Sequence, residues 1–143
     1  MKVFFDTSVL VAAFVETHPQ NSDCLPWLDR VQTLEIQGVI SAHTLAELFS
    51  VLTRLPRQLR IPPQLAQELM QINLQHFEKV PLQIEDYDWA IERMVCLKLS
   101  GGAIFDALIA AVVLKVEVDR LLTLNPKHFS RLGVEIASIV QIP

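Results

Sequence analysis

Residues 2–14 read KVFFDTSVLVAAF: a mostly apolar run, the polar triplet Asp6-Thr7-Ser8, and a second apolar run. The first run, Lys2–Phe5, has the composition of a buried strand, and residues 9–14 have that of a helix. A strand followed directly by a helix places Asp6 at the carboxyl end of a sheet, where ligands bind in open α/β folds. The alternative is that Asp6 is an ordinary helix N-cap, because Asp, Thr and Ser all favour that position.

The composition limits the kinds of protein this can be. The 143 residues are 51% hydrophobic and 20% charged, a balance that predicts an extensive core or a buried surface between subunits. We therefore expect a single domain, residues 1–143, that forms a homodimer. No apolar run is long enough to cross a bilayer, and Asp6 interrupts the segment where a signal peptide needs an apolar core. These features predict a soluble, cytoplasmic protein.

The net charge and the cysteines exclude fewer classes of protein than the composition does. A net charge of −4 argues against a protein that wraps nucleic acid by general electrostatics. It does not exclude a nuclease, because a divalent cation bound by several acids changes the local charge that a phosphate meets. Cys24 and Cys96 lack metal-ligand spacing, and we expect both to be reduced and semi-buried.

Apolar spacing and turn residues predict alternating strands and helices after the first helix. Further strands are predicted at 37–41, 80–84, 119–124 and within 134–142, and further helices at 19–34, 42–55, 64–77, 86–99, 103–114 and 127–132. Pro81 indicates an edge position for its strand. Strands separated by helices throughout favour an α/β fold, a three-layer α/β/α sandwich around a parallel sheet of about five strands.

Glu47 lies beside the apolar stripe of the helix predicted at 42–55. Leu45, Leu48 and Leu52 belong to that stripe, and Glu47 falls at its edge, so we expect it half in the core. It also follows closely on a strand end, at the edge of the sheet that Asp6 reaches. The alternative is a Glu favoured near a helix N-terminus by the macrodipole.

Asp106 is the most informative residue of the chain. The segment 103–114 is apolar on every side except at Asp106, which predicts a buried helix. A carboxylate that faces a core must be paired, hydrogen-bonded or bound to a cation, because an isolated buried charge costs several kcal/mol or more. The first N–H groups of its own helix are the alternative partner.

Together, these three acids predict a metal site. Asp6, Glu47 and Asp106 would repel one another at one sheet edge unless a hard cation lay between them, and oxygen ligands favour Mg²⁺ or Mn²⁺. Such a site activates water for attack on a phosphodiester. Arg54, Arg57 and Arg60 lie near the end of the helix predicted at 42–55. Such a cluster is most often a solvated face, although it could also contact the phosphates of a nucleic-acid backbone.

Four segments resemble the PIN-domain family, and in particular VapC-type toxins of bacterial toxin–antitoxin pairs. They are FDTSVL at 5–10, TLAEL at 44–48, FDALIAA at 105–111 and LTLNPKHF at 122–129. Each is weak alone, but their order and spacing are specific, and they cover nearly the whole chain. The resemblance implies a parallel five-stranded sheet flanked by helices and Mg²⁺- or Mn²⁺-dependent RNA cleavage. It also implies a cognate antitoxin protein that lays an apolar helix into a groove and blocks the site.

The resemblance also implies roles for single residues. Asp6, Glu47 and Asp106 match the metal-binding acids of the family. Thr123 and Asn125, which with Ser8 we take as supporting polar groups, match a segment where many relatives place a fourth acid. With an amide in that place the site offers three negative charges, and we expect one strongly held ion.

Other classes of protein fit the sequence less well. A phosphotransferase with Asp6 as nucleophile would want a second acid at the position of Ser8, and a dinucleotide-binding domain would need a Gly-rich turn after the first strand. The remaining rival is a non-catalytic interaction module on the same fold, which the missing fourth acid supports. We expect a divalent-metal-dependent endoribonuclease.

Overall fold

The apolar strand segments form one five-stranded parallel sheet in the computed structural model, which describes residues 1–143. The strands are β1 (Lys2–Phe5), β2 (Gln37–Ser41), β3 (Glu78–Val80), β4 (Arg120–Leu122) and β5 (Val140–Gln141). The helices are α1 (Thr7–Phe14), α2 (Asn21–Gln32), α3 (Ala42–Thr53), α4 (Pro63–Asn73), α5 (Ile84–Cys96), α6 (Ala103–Lys115), α7 (Pro126–Ser130) and α8 (Val134–Ala137). The strand order β3-β2-β1-β4-β5, with every pair parallel, confirms the predicted α/β/α sandwich.

The central strand β1 is buried on both faces, as expected for a parallel sheet covered by helices. Val3 and Phe5 belong to one core cluster, which includes residues of α1, α2 and α3. Phe4 belongs to the other, which includes residues of α5 and α6. The alternation of side chains along one strand thus supplies both cores.

The strand order reverses between β1 and β4. β2 and β3 continue on one side of β1, and the chain returns to pair β4 with its other side. The Asp6 N–H donates to the Leu122 carbonyl oxygen at 3.0 Å, so the carboxyl ends of the two strands adjoin. A crevice outside the sheet at such a reversal is the usual ligand site of an open α/β fold.

The two outer strands differ from the sequence prediction. β3 ends at Val80, because its position is set by parallel pairing with β2, and Pro81 follows the strand; the predicted edge position is confirmed. The last strand was predicted within 134–142, but residues 134–137 form α8, which buries Ile136, and only residues 140–141 pair with β4.

Two smaller expectations about burial are also corrected. Cys24 is fully buried and Cys96 is exposed, so neither is semi-buried. Phe105 is exposed at the start of α6, which is therefore not buried all round. None of the helices combines the length and the apolarity that crossing a membrane requires.

Candidate metal centre and active site

The three predicted acids line one cavity at the carboxyl edge of the sheet. Asp6 lies between β1 and α1, Glu47 lies in the second turn of α3, and Asp106 lies in the first turn of α6. The cavity, here called the acid cavity, has a volume of about 560 Å³. Its lining residues are Asp6, Thr7, Ser8, Val11, His18, Gln20, Glu47, Val51, Asp106, Leu124, Asn125 and His128.

Two hydroxyl groups fix the buried Asp6 carboxylate. Ser8 Oγ donates to Asp6 Oδ2 at 2.7 Å, and Thr123 Oγ1 donates to the same oxygen at 2.9 Å. Each hydroxyl in turn accepts a backbone N–H from the segment after β4, Ser8 from Leu124 at 3.1 Å and Thr123 from Asn125 at 3.0 Å. Asp6 Oδ2 is therefore engaged within the protein, while no hydrogen bond is made to Oδ1.

The acids of the cavity affect one another electrostatically. The pKa of Asp106 is raised to about 6: burial is the largest cause, nearby His128 and Arg131 oppose the rise, and the charges of Asp6 and Glu47 add to it. Burial also raises the pKa of Glu47, and the Asp6 charge adds to that effect. Both shifts have the sign expected where carboxylates share a site that is short of positive charge.

Basic side chains approach two of the acids without hydrogen-bonding them. His128 Nδ1 lies 3.8 Å and Arg131 Nη2 lies 3.9 Å from Asp106 Oδ2, and His43 Nε2 lies 3.9 Å from Glu47 Oε2. These separations are too long for hydrogen bonds. The carboxylate oxygens of Asp106 and Glu47 thus remain free to bind another partner.

The donor set fits a hard divalent cation. Carboxylate, hydroxyl and amide oxygens are the ligands that Mg²⁺ and Mn²⁺ prefer. The Thr7 hydroxyl, buried at the same place, has no hydrogen-bond partner, although it lies close enough to Glu47 to lower the pKa of that carboxyl. In the present arrangement no three acidic, His or Cys side chains of the molecule converge tightly enough to hold one ion. Glu47, whose side chain is 40% exposed, is the least buried of the three acids.

The remaining predicted residues divide into two groups. Asn125 lines the acid cavity between β4 and α7, while Thr123 reaches Asp6. Three arginines, at the end of α3 and in the segment before α4, are exposed and lie outside the cavity: Arg54, Arg57 and Arg60. Their contact with RNA stays a prediction.

Four polar lining residues were not singled out from the sequence. Thr7 and His128 belong to segments that resemble the PIN-domain family, so the resemblance could have indicated both residues. His18 and Gln20 come from the connection between α1 and α2. A polar residue in a connection has no periodic pattern, so nothing in the local sequence indicated that these two reach the cavity.

Comparison with known proteins defines the class. The chain matches the PIN domain family model over residues 3–135, and it belongs to the PIN-domain family. Among curated proteins it is similar to Ribonuclease VapC27 of Mycobacterium tuberculosis (strain ATCC 25618 / H37Rv), with 33% identity over 106 residues, 73% of this chain and 72% of that protein. It is also similar to Ribonuclease VapC40 of Mycobacterium tuberculosis (strain CDC 1551 / Oshkosh), with 32% identity over 135 residues, 92% of this chain and 94% of that protein.

Solved structures share the fold at lower identity. VapBC2 from Rickettsia felis, bound to a DNA fragment from its promoter, superposes with a TM-score of 0.71 at 22% identity and covers 99% of this chain and 98% of its own. Mycobacterium tuberculosis VapC20, a Sarcin-Ricin loop cleaving toxin, superposes with a TM-score of 0.64 at 19% identity, covering 83% and 86%.

Proposed function

We propose that this protein is an endoribonuclease that depends on Mg²⁺ or Mn²⁺ and is the toxin of a toxin–antitoxin pair. The observation that carries the proposal is the placement of Asp6, Glu47 and Asp106 around one cavity at the sheet reversal, with mutual charge effects. The names of the two VapC ribonucleases support RNA as the substrate. The site of action would be the cytoplasm, where RNA is accessible.

The residues of the cavity have different roles in the proposed hydrolysis. A bound divalent cation supplies a water nucleophile at neutral pH and offsets the charge of the phosphate. Asp6, which Ser8 and Thr123 hold in one orientation through Oδ2, would bind that cation. Glu47 and Asp106 would complete the acidic donor set. His128, which lies beside Asp106, can donate to a phosphate oxygen of the RNA.

Cleavage assays on purified, antitoxin-free protein test the proposal. We expect cleavage of structured RNA with Mg²⁺ or Mn²⁺ and none in EDTA. Asp6→Asn, Glu47→Gln and Asp106→Asn should each lower the rate by orders of magnitude, while the exposed control Asp88→Asn should not. Equal cleavage in EDTA would refute metal dependence. A folded wild-type protein without nuclease activity would favour the non-catalytic interaction module.

The proposed antitoxin has a candidate groove next to the acid cavity. A groove of about 830 Å³ between α3 and α4, here called the α3–α4 groove, is lined by Leu45, Phe49 and Met70 among others. Helix α3 borders both concavities, since Glu47 on the same helix lines the acid cavity. An amphipathic antitoxin helix would bury apolar side chains here. Phe49→Asp should abolish inhibition of cleavage by the purified antitoxin, whereas Val134→Asp should not.

A further inference from the structure

Two exposed aromatic rings lie together at the edge of the sheet that carries the acids. His43, in the first turn of α3, and Phe105, in the first turn of α6, have ring centroids 6.0 Å apart and planes inclined by 8°. The His43 side chain is 45% exposed and Phe105 is 53% exposed. These two residues are called the aromatic pair below.

The exposure of Phe105 is unusual within its own helix. Residues 107–113 of α6 are all buried, and the apolar sequence of the helix indicated burial on every side. A half-exposed Phe gives up apolar contact area worth on the order of 1 kcal/mol. Phe105 belongs to neither core cluster, and the aromatic ring paired with it is that of His43, so the packing of the two cores does not account for its position.

The aromatic pair adjoins the acid cavity on the side of Glu47 and Asp106. His43 Nε2 lies 3.9 Å from Glu47 Oε2, one helical turn further along α3. Phe105 directly precedes Asp106 in α6. A flat group resting on the pair would therefore lie next to a phosphate held at the acids.

Single-stranded RNA is recognised largely by stacking of unpaired bases on aromatic side chains. We propose that the aromatic pair is a stacking platform for a nucleobase next to the scissile phosphate. Because the two rings are nearly parallel, a base on the outer face of Phe105 extends their stack. This inference rests on the proposed nuclease function, which it deepens by assigning the group that positions the substrate.

Substitutions at Phe105 test the platform through KM and kcat measured separately on a single-stranded RNA oligonucleotide. Phe105→Ala should raise KM about 5- to 20-fold, as expected for loss of one stacked base, and should change kcat by less than about twofold. Phe105→Leu keeps an apolar side chain without a π face and should resemble Phe105→Ala. Phe105→Tyr keeps the face and should resemble wild type, and the exposed control Val134→Ala should have no effect.

Abasic substrates identify the base itself. Removing the base beside the cleaved bond should raise KM for wild type as much as Phe105→Ala does, and should add nothing further in the Phe105→Ala variant. Affinity for Mn²⁺, measured by calorimetry, should be the same for both proteins. Unequal Mn²⁺ affinity, or additive effects of the two changes, would overturn the platform.

Two further outcomes distinguish a failure of this inference from a failure of the proposed function. If wild type cleaves no RNA, the proposed function fails; fluorescence anisotropy of the labelled oligonucleotide in Ca²⁺ still tests the platform, which predicts the same 5- to 20-fold loss of affinity. If Phe105→Ala leaves KM unchanged but weakens the antitoxin complex or the dimer, the pair is a protein contact and the inference is wrong.

Discussion

The Asp106 side chain is 23% exposed, and its pKa is raised to about 6, chiefly by burial. In the unfolded chain an Asp has a pKa of about 4, so the folded protein holds this proton to higher pH. The contribution of Asp106 to stability is therefore expected to fall as pH rises from about 4 to about 6, and to stay lower above that range. Asp106→Asn removes the charge. We expect it to raise the free energy of unfolding at pH 7 by about 1 kcal/mol, less than the full shift implies because solvent screens the group.

Urea unfolding at pH 7 and pH 4 measures this effect. The gain should be present at pH 7 and nearly vanish at pH 4, where Asp106 is mostly protonated in the folded wild type. Asp86→Asn is the opposite control. Although burial raises the pKa of Asp86, the Gln83 N–H and Lys115 Nζ, 2.8 and 2.6 Å from its Oδ2, hold it below its usual value. Losing those contacts should destabilise the fold. A loss of stability in Asp106→Asn at pH 7 would contradict the prediction.

Thr7 allows a second test of how polar groups in the acid cavity affect stability. Its hydroxyl is buried without a hydrogen-bond partner, a state that costs roughly 1–3 kcal/mol. Thr7→Val removes the hydroxyl and nearly keeps the shape, so we expect the metal-free protein to gain about 1 kcal/mol. Thr7→Ser, which keeps the hydroxyl, should show no gain. Thermal unfolding in EDTA measures both variants, and a destabilised Thr7→Val would show that the hydroxyl is bonded in solution.

Asn125 controls the charge of the proposed metal centre. An amide oxygen can bind a hard cation but adds no negative charge. Asn125→Asp should tighten Mn²⁺ binding by about 1 kcal/mol, if the partly solvated site has an effective dielectric near 20. Asn125→Ala should slow cleavage far less than Asp106→Asn does. Calorimetry with Mn²⁺ and single-turnover cleavage check both statements. An Asn125→Ala variant as inactive as Asp106→Asn, yet folded, would make Asn125 a full member of the site.

The candidate site residues that can be predicted from the sequence are those that contrast with their neighbours in the chain. Asp6 and Asp106 stand out because each interrupts an apolar run, and Glu47 because it borders an apolar stripe. The hydrogen bond from Thr123 to Asp6 follows from the pairing of β1 with β4, which no local pattern encodes. The distances between the three acids could not be predicted from the sequence either, because they depend on how α3 and α6 pack.

Among the elements, β2 tolerates only glycine at one point. A Cβ atom on Gly38 would come within 2.7 Å of the Phe77 ring and 2.9 Å of Val31. Gly38→Ala should therefore destabilise the protein by about 1–3 kcal/mol, the usual cost of overpacking. Gly102→Ala is the matched control, since a Cβ there meets nothing within 4 Å and its φ of −64° suits alanine. Urea unfolding should rank wild type above Gly38→Ala, with Gly102→Ala at least equal to wild type.

The predictability of the elements follows their length and burial. β1, β2 and the helices α1, α2, α3, α5 and α6 gave clear patterns because each buries several consecutive or periodic residues. β3 and β5 have only three and two residues, too few for a period of two to be recognised. In α8 the apolar residues at 134 and 136 alternate as in a strand, but the structure buries Ile136 in a core cluster and leaves Val134 84% exposed on the helix.

At the scale of the whole molecule, part of the high apolar fraction lies exposed on helix α5. Ile84, Ile91 and Val95 lie on one side of this helix and are 72%, 55% and 72% exposed, and an apolar stripe of this kind is typical of an interface. We expect a homodimer at micromolar concentration that buries the stripe. Ile91→Lys should yield a monomer by light scattering, while Val134→Lys should remain dimeric. A monomeric wild type at that concentration would contradict the prediction.

The hydrogen bond between Asp6 and Thr123 spans 117 positions of the sequence. A ribosome adds about 5–20 residues per second, so Asp6 leaves the exit tunnel several seconds or more before its partner strand β4 exists. During translation the first acid of the site has neither the Thr123 hydroxyl nor Asp106 beside it. A growing chain therefore has an incomplete acid cavity, and the proposed nuclease would spare the message that encodes it until synthesis is nearly finished.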